Sequence, residues 1–404
     1  MPGVLNVASL CRLDIKCAQH IRLADLGRRL VPVTLDGQSL TIESAIDVSE
    51  NGGKVRIGAS SLRRMEKFRT LLEQKLARGE IVYGVNTGFG SLSSKAVRLG
   101  NLKELQLNLI RSHANGVGNP MPSEVVRAAM LIRLNNLLRG NSAARVDVAE
   151  SLLELLNRGV TPLVPEFGSL GASGDLAPSA HMALTMVGEG RAYYRRRLMD
   201  SKRALALSKT KPITLQAKEG LALINGTCFT TALACVAVNR GKVLLEAANS
   251  SVALACEVLG ACSQWFDERL IGVKVDGGQE YVAKKLKAFL KDSQRTRPEP
   301  VPQDPYSLRC VPQVHGSLKD ALDFAEKIVT GEMNSVSDNP VLVEDGTVLH
   351  GGNFHAQPVA MVLDLLAITM SYLGVISLSR TNLLLSRTPT ETKYMAGKPG
   401  RSQG

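Results

Sequence analysis

The stretch from Gly168 to Pro178, Gly-Ser-Leu-Gly-Ala-Ser-Gly-Asp-Leu-Ala-Pro, is where this sequence concentrates residues able to do unusual chemistry. Within it stands the order Ala172-Ser173-Gly174. A glycine amide nitrogen approaches the carbonyl two residues back only where no Cβ obstructs it, so ring closure here is sterically conceivable. Loss of one water from the ring and another from the serine side chain would leave an exocyclic methylidene. No ordinary side chain offers such an electrophile. Composition alone also permits a flexible turn before a helix, because Gly, Ser and Ala runs are common in connections.

Other blocks raise similar choices. Tyr83 opens Tyr83-Gly84-Val85-Asn86-Thr87-Gly88-Phe89-Gly90, readable as a plain turn or as a mobile loop presenting a phenol. His113 lies in Ser112-His113-Ala114-Asn115-Gly116-Val117-Gly118, and a lone histidine is commonly structural. Asn225 interrupts an apolar helical run, so its amide needs a hydrogen-bond partner. Gln303-Asp304-Pro305-Tyr306-Ser307-Leu308-Arg309-Cys310 follows a proline-rich connection, and two more polar blocks stand at 334–340 and 351–358.

Taken together, these blocks resemble the aromatic amino acid ammonia-lyase family, most closely its histidine-acting branch, from about Val33 to about Arg387. The family motif GSxGASGDLAPLAH is matched except for Ser179, where a Leu is usual. The resemblance implies that Ala172, Ser173 and Gly174 form a methylidene-imidazolone autocatalytically, beside Asp175, with no external cofactor and no metal. It makes Tyr83 the catalytic base, a role open to a tyrosinate whose charge is stabilised. It sets His113 against the substrate imidazole; phenylalanine lyases carry Phe-Leu and tyrosine lyases His-Leu at the Ser112-His113 pair. Asn225 would face substrate and prosthetic group, and Phe354 the substrate. Gln303 and Tyr306 would line the site, while Arg309 would hold the substrate carboxylate through two parallel hydrogen bonds. The implied reaction is non-oxidative elimination of ammonia from L-histidine to trans-urocanate, in a homotetramer whose sites are each assembled from three subunits. A phenylalanine or tyrosine lyase or an aminomutase would use the same group, and an inactive homologue could serve as an interaction subunit.

The elements that must position these residues read as mainly α: a compact N-terminal domain followed by a bundle of long antiparallel helices. Few aromatics and recurring Ala and Leu favour helices packed on helices. A β-like opening spans Val31 to Ile42, with Asp36-Gly37 as a turn, and a helical stretch runs from Ser60 to Arg78. Apolar runs at helical spacing follow at Met130 to Leu156, Gly220 to Leu259, Ser317 to Val329 and Gln357 to Leu385. Asp292 to Pro305 carries four prolines, which forces an extended connection. The expected organisation is an N-terminal extension (1–30), a domain carrying the prosthetic-group loop (31–220), a central helical bundle (221–387) and a tail outside the family pattern (388–404). The family's Gln-Glu-Asp-His block, beyond the position of Arg387, is not found in this sequence, which suggests a fragment or altered product.

The net charge of +12 would suit a nucleic-acid partner, but residues 1–30 and 380–404 supply +7 of it, and Arg195-Arg196-Arg197 reads as a solvated loop. Seven scattered cysteines without metal-ligand spacing read as reduced thiols of a cytoplasmic protein. The runs Gly220 to Asn239 and Ala356 to Ser379 approach the length of a membrane span, yet polar interruptions favour buried bundle helices. Nucleic acid and membrane are therefore not expected partners.

Overall fold

Helix-forming residues at helical spacing become helices along most of the computed structural model, which describes residues 32–88, 97–274 and 276–387. The expected N-terminal extension, the 388–404 tail, and Phe89 and Gly90 of the tyrosine block lie outside the described residues. The chain divides into two compact units, Met1–Ala237 with Glu326–Met361, and Val238–Ala325 with Val362–Gly404.

In the first unit, β1 (Val33–Leu35) pairs in parallel with β2 (Val55–Ile57), with α1 (Ile42–Glu50) between them in sequence. The β-like opening ends earlier than its apolar pattern suggests. The Asp36 carboxylate accepts the N–H groups of Gln38 at 2.7 Å and Ser39 at 2.8 Å, and Gly37 turns at φ +86°. Thr41 then caps α1 by accepting the Ser44 N–H at 3.2 Å.

The helical stretch expected from Ser60 becomes α2 (Ala59–Ala77), with Met65, Phe68, Leu72 and Leu76 buried along one face. Next come α3 (Leu102–His113), β3 (Val117–Pro120), α4 (Ser123–Leu137) and α5 (Val146–Arg158). The run Met130 to Leu156 is thus two helices, parted where Gly140 adopts φ +84°. Helix α5 stops at Gly159, whose left-handed conformation lets its N–H reach the last carbonyls.

Among the described residues, three small antiparallel sheets accompany these helices. Strand β3 pairs with β5 (Pro165–Phe167), while β4 (Val160–Pro162), β6 (Arg191–Tyr194) and β7 (Arg197–Asp200) form a three-stranded sheet. Arg195 and Arg196 are the exposed two-residue turn between β6 and β7, in keeping with a solvated loop. The remaining elements of this unit include α6 (Leu176–Met186), α7 (Ser201–Ser208), α8 (Glu219–Ile224) and the pair β8 (Val341–Leu342) and β9 (Val348–Leu349).

Three long helices, α9 (Cys228–Leu259), α13 (Val311–Met333) and α14 (Gln357–Arg387), contribute residues to both units. The second unit also holds α10 (Glu268–Gly272), α11 (Gly277–Phe289) and α12 (Tyr306–Arg309). Its core gathers Val252, Cys256, Phe266, Val282, Leu286, Leu308, Val311 and Ile376. Residues 292–305 form no helix, as their prolines require.

Among the described residues, two helical stretches are long and apolar enough to cross a membrane. Within Glu219–Leu259, 83% of the apolar window is buried inside the protein, as befits a core helix, whereas within Gln357–Arg387 only 33% is.

Candidate active site

The long apolar run after Gly220 would be one helix but for Asn225-Gly226-Thr227, which separates α8 from α9. Gly226 adopts φ +137°, and its carbonyl accepts the Asp175 N–H at 2.7 Å. Asn225 reaches the same segment, its Nδ2 donating to the Ser173 carbonyl at 3.1 Å. Facing this turn, Gly174 is buried at φ +85°, and a Cβ there would lie 2.6 Å from the Gly226 carbonyl oxygen. Only glycine fits. Ala172 and Ser173, by contrast, are exposed.

Asp175 is wholly buried at the start of α6. Its carboxylate accepts the Thr230 N–H, the Thr230 hydroxyl and the Ser169 hydroxyl, each at 2.7 Å. Thr230 lies in the first turn of α9, where backbone N–H groups have no helical partner and the helix end favours negative charge. One carboxylate therefore ties the glycine-rich loop to the helix that follows the 225–227 turn.

That turn is braced by Glu332, which the sequence did not mark, and by the polar block at 334–340, which it marked without a role. Thr227 donates its hydroxyl to Glu332 and its N–H to Ser337 Oγ at 3.3 Å. Burial pushes the Glu332 carboxyl above its ordinary range, against the Thr227 hydrogen bond, and the Asp175 charge adds to the rise. Asn334 takes the Leu40 N–H at 2.9 Å, and Asp338 pairs at 2.5 Å with Lys218, both fully buried. The block at 334–340 is thus scaffold for the turn and α8. The sequence signal was polar residues in apolar surroundings, which marks burial but not the partner.

Tyr83 is half-buried in a loop held by its own neighbours: Asn86 Oδ1 accepts the Val82 N–H at 2.7 Å and Thr87 Oγ1 the Gly84 N–H at 3.0 Å. Its ring meets that of His350 edge-on, with centroids 5.9 Å apart. Buried Gln106 on α3 joins this loop to α8, donating to the Gly84 carbonyl at 3.4 Å and accepting the Leu221 N–H at 3.1 Å. His113 ends the same helix, half-buried, with Nδ1 2.9 Å from the Leu109 carbonyl. A carbonyl only accepts, so this contact calls for the tautomer with the proton on Nδ1 and the lone pair on Nε2, while the Ser112 hydroxyl lies 3.1 Å from the same Nδ1. His181 of the motif accepts the Gly116 N–H at 3.1 Å, and burial lowers its pKa, favouring the neutral ring. Half-buried Phe354 lies in a loop that reaches the motif where Ala356 N–H donates to the Gly171 carbonyl at 3.1 Å.

Gln303, Tyr306 and Arg309 belong to the second unit and cluster among themselves. Arg309 Nη1 donates to Gln303 Oε1 at 2.7 Å, and its guanidinium lies 4.9 Å from the Trp265 ring centroid and 5.3 Å from that of Tyr306. Cation–π contact with these two rings restrains the guanidinium while leaving other N–H groups for a carboxylate. Asp304 is engaged elsewhere, accepting from Cys262 N–H, the Trp265 indole and Arg297 at 2.7–2.8 Å. Burial raises its carboxyl, but these donors outweigh it and leave the pKa lowered.

A family model described as aromatic amino acid lyase matches residues 40–404. The chain belongs to the aromatic amino acid lyase family. It is 43% identical over 378 residues to a histidine ammonia-lyase of Streptococcus pyogenes serotype M6, covering 92% of this chain and 73% of that relative. Among solved structures, a tyrosine aminomutase from Streptomyces globisporus superposes with a TM-score of 0.84 at 35% identity, over 88% of this chain and 72% of the other. A histidine ammonia-lyase from Trypanosoma cruzi gives 0.81 at 36% identity, over 91% and 70%. These matches agree with the mainly α architecture expected from the sequence.

For a lyase of this family, the fit of an Ala-Ser-Gly prosthetic group is tested by the loop itself. Residue 174 must lack a Cβ, Ser173 must be open to a substrate, and a donor must stand at the Ser173 carbonyl. All three conditions are met here. Among the described residues, no cluster of three or more His, Cys, Asp or Glu is placed to hold a metal.

Proposed function

We propose that this lyase is a histidine ammonia-lyase that converts L-histidine to trans-urocanate and ammonia. The observation that carries the reading is the Ala172-Ser173-Gly174 loop, seated on Gly226 and held by Asn225 and Asp175. When formed from these residues, a methylidene-imidazolone supplies an electrophile that side chains lack. Tyr83 takes the β-proton, and Arg309 fixes the carboxylate so that Cα and Cβ meet the reacting groups in one orientation. His113, with Nε2 as acceptor, discriminates for a ring that can donate a hydrogen bond. Asn225, Gln303, Tyr306 and Phe354 complete the substrate surround. The working form is a homotetramer in which three subunits contribute to each site. The enzyme is assigned to the cytoplasm, a reading supported by the five described cysteines, none of them in a disulfide and four of them buried.

The test is turnover of L-histidine, L-phenylalanine and L-tyrosine in parallel by ultraviolet absorbance. Urocanate alone is expected; cinnamate or coumarate would overturn the role of His113. The likeness to a tyrosine aminomutase structure makes a β-amino acid the product to seek beside the unsaturated acids.

A further inference from the structure

Three contacts set the glycine-rich loop against the turn between α8 and α9. Asn225 holds the Ser173 carbonyl, the Gly226 carbonyl holds the Asp175 N–H, and the Gly226 backbone fills the space a Cβ on Gly174 would occupy. The turn has little rigidity of its own, because Gly226 at φ +137° occupies a region where glycine is at ease and other conformations are as accessible. Something outside it must fix its backbone. Thr227, the next residue, is anchored twice, by its N–H to Ser337 Oγ at 3.3 Å and by its hydroxyl to the Glu332 carboxyl at the end of α13. Setting a carboxyl group partly inside the protein costs it solvation, a penalty that a leucine in the same space would not carry. The Thr227 hydrogen bond gives Glu332 its reason to be there.

We propose that Glu332 is a positioning residue for ring closure at Ala172-Ser173-Gly174, acting through Thr227 to hold the Asn225-Gly226 backbone against residues 173–175. The inference rests on the methylidene-imidazolone reading above. In closure, the Gly174 nitrogen bonds to the Ala172 carbonyl carbon and passes its proton to that oxygen. The resulting hydroxyl leaves as water with the Ser173 N–H proton, forming a C=N bond. A second water takes the Ser173 Cα proton and Oγ hydroxyl, leaving a Cα=Cβ bond. Neither step needs an oxidant or a co-reactant. The first needs the Gly174 nitrogen held close to the Ala172 carbonyl, a matter of backbone orientation that the 225–227 turn governs.

The experiment compares the full chain with Glu332→Ala, Glu332→Gln and Thr227→Val by mass spectrometry of the peptide containing residues 172–174, alongside circular dichroism and thermal melting. The expected wild-type peptide is lighter by two waters. In Glu332→Ala and Thr227→Val the greater part of the folded protein retains both waters, while Glu332→Gln, which still accepts the Thr227 hydroxyl, matures as wild type does. A purely structural role would lower the melting temperature without changing the mass of the folded fraction. Complete maturation of folded Glu332→Ala, or of Thr227→Val should the alanine variant fail to fold, overturns the proposal and leaves the prosthetic-group reading standing. A wild-type peptide that keeps both waters overturns both.

Discussion

A methyl group added at residue 174 would press on the Gly226 carbonyl and demand φ +85° of an alanine. Gly174→Ala is therefore expected to destabilise the protein by about 1–3 kcal/mol and to leave the 172–174 peptide unmodified, as melting and peptide mass would report. Asp175→Asn keeps one oxygen for the Thr230 N–H but sets an NH2 where the Ser169 and Thr230 hydroxyls now donate, so both hydroxyls must turn to accept and the charge-assisted character of all three bonds is lost. A loss of about 1–3 kcal/mol in urea unfolding is expected. His113→Phe removes the acceptor proposed for the imidazole N–H, so kcat/KM for L-histidine should fall roughly a hundredfold or more while that for L-phenylalanine rises. Equal losses on both substrates would instead mark His113 as a helix-end residue held by Leu109.

At the level of elements, buried polar pairs decide how helices are joined. Lys218, at the start of α8, and Asp338, after α13, form an ion pair with no solvent access, and burial lowers the lysine pKa despite its partner. Lys218→Met strands the carboxylate and should cost about 3–5 kcal/mol, whereas Lys218→Met with Asp338→Leu should recover much of the loss. Denaturation midpoints of the two variants measure the difference. In the second unit, His315 on α13 donates from Nδ1 to Asn249 Oδ1 on α9 at 2.8 Å, and burial, with the Arg380 charge, lowers its pKa from 6.5 to about 3. The folded protein refuses a proton that the unfolded chain accepts below 6.5. Its contribution is thus whole above pH 6.5 and drains as pH falls towards 3. Between pH 7 and pH 5, His315→Gln should lose less stability than wild type by about 2 kcal/mol in urea unfolding. An unchanged difference would assign the acid sensitivity to other groups.

For the whole molecule, α14 presents Ile368, Tyr372, Val375 and Leu378 to solvent at intervals of three and four residues, each more than half exposed. An apolar stripe of that period is what a second helix would cover. Under the tetramer proposal, Ile368→Asp with Val375→Asp should shift sedimentation towards smaller species and abolish turnover together, since each site draws on three subunits. Smaller species that keep full activity would refute shared sites.

Much of this was legible in the chain itself. The order Ala172-Ser173-Gly174 and the long apolar helices are local patterns, set by the chemistry and periodicity of neighbouring residues, whereas the roles expected of Tyr83, His113 and Arg309 came from the family resemblance. The helix break at Asn225-Gly226-Thr227 was not legible, because an Asn in an apolar run declares only that it needs a partner. Its partner, Ser173, lies fifty-two residues away. The roles of Thr230 and Glu332, and the partners of Ser337 and Asp338, were hidden for the same reason. A buried polar group takes its meaning from the donor or acceptor it meets, and that meeting exists only once distant segments have packed.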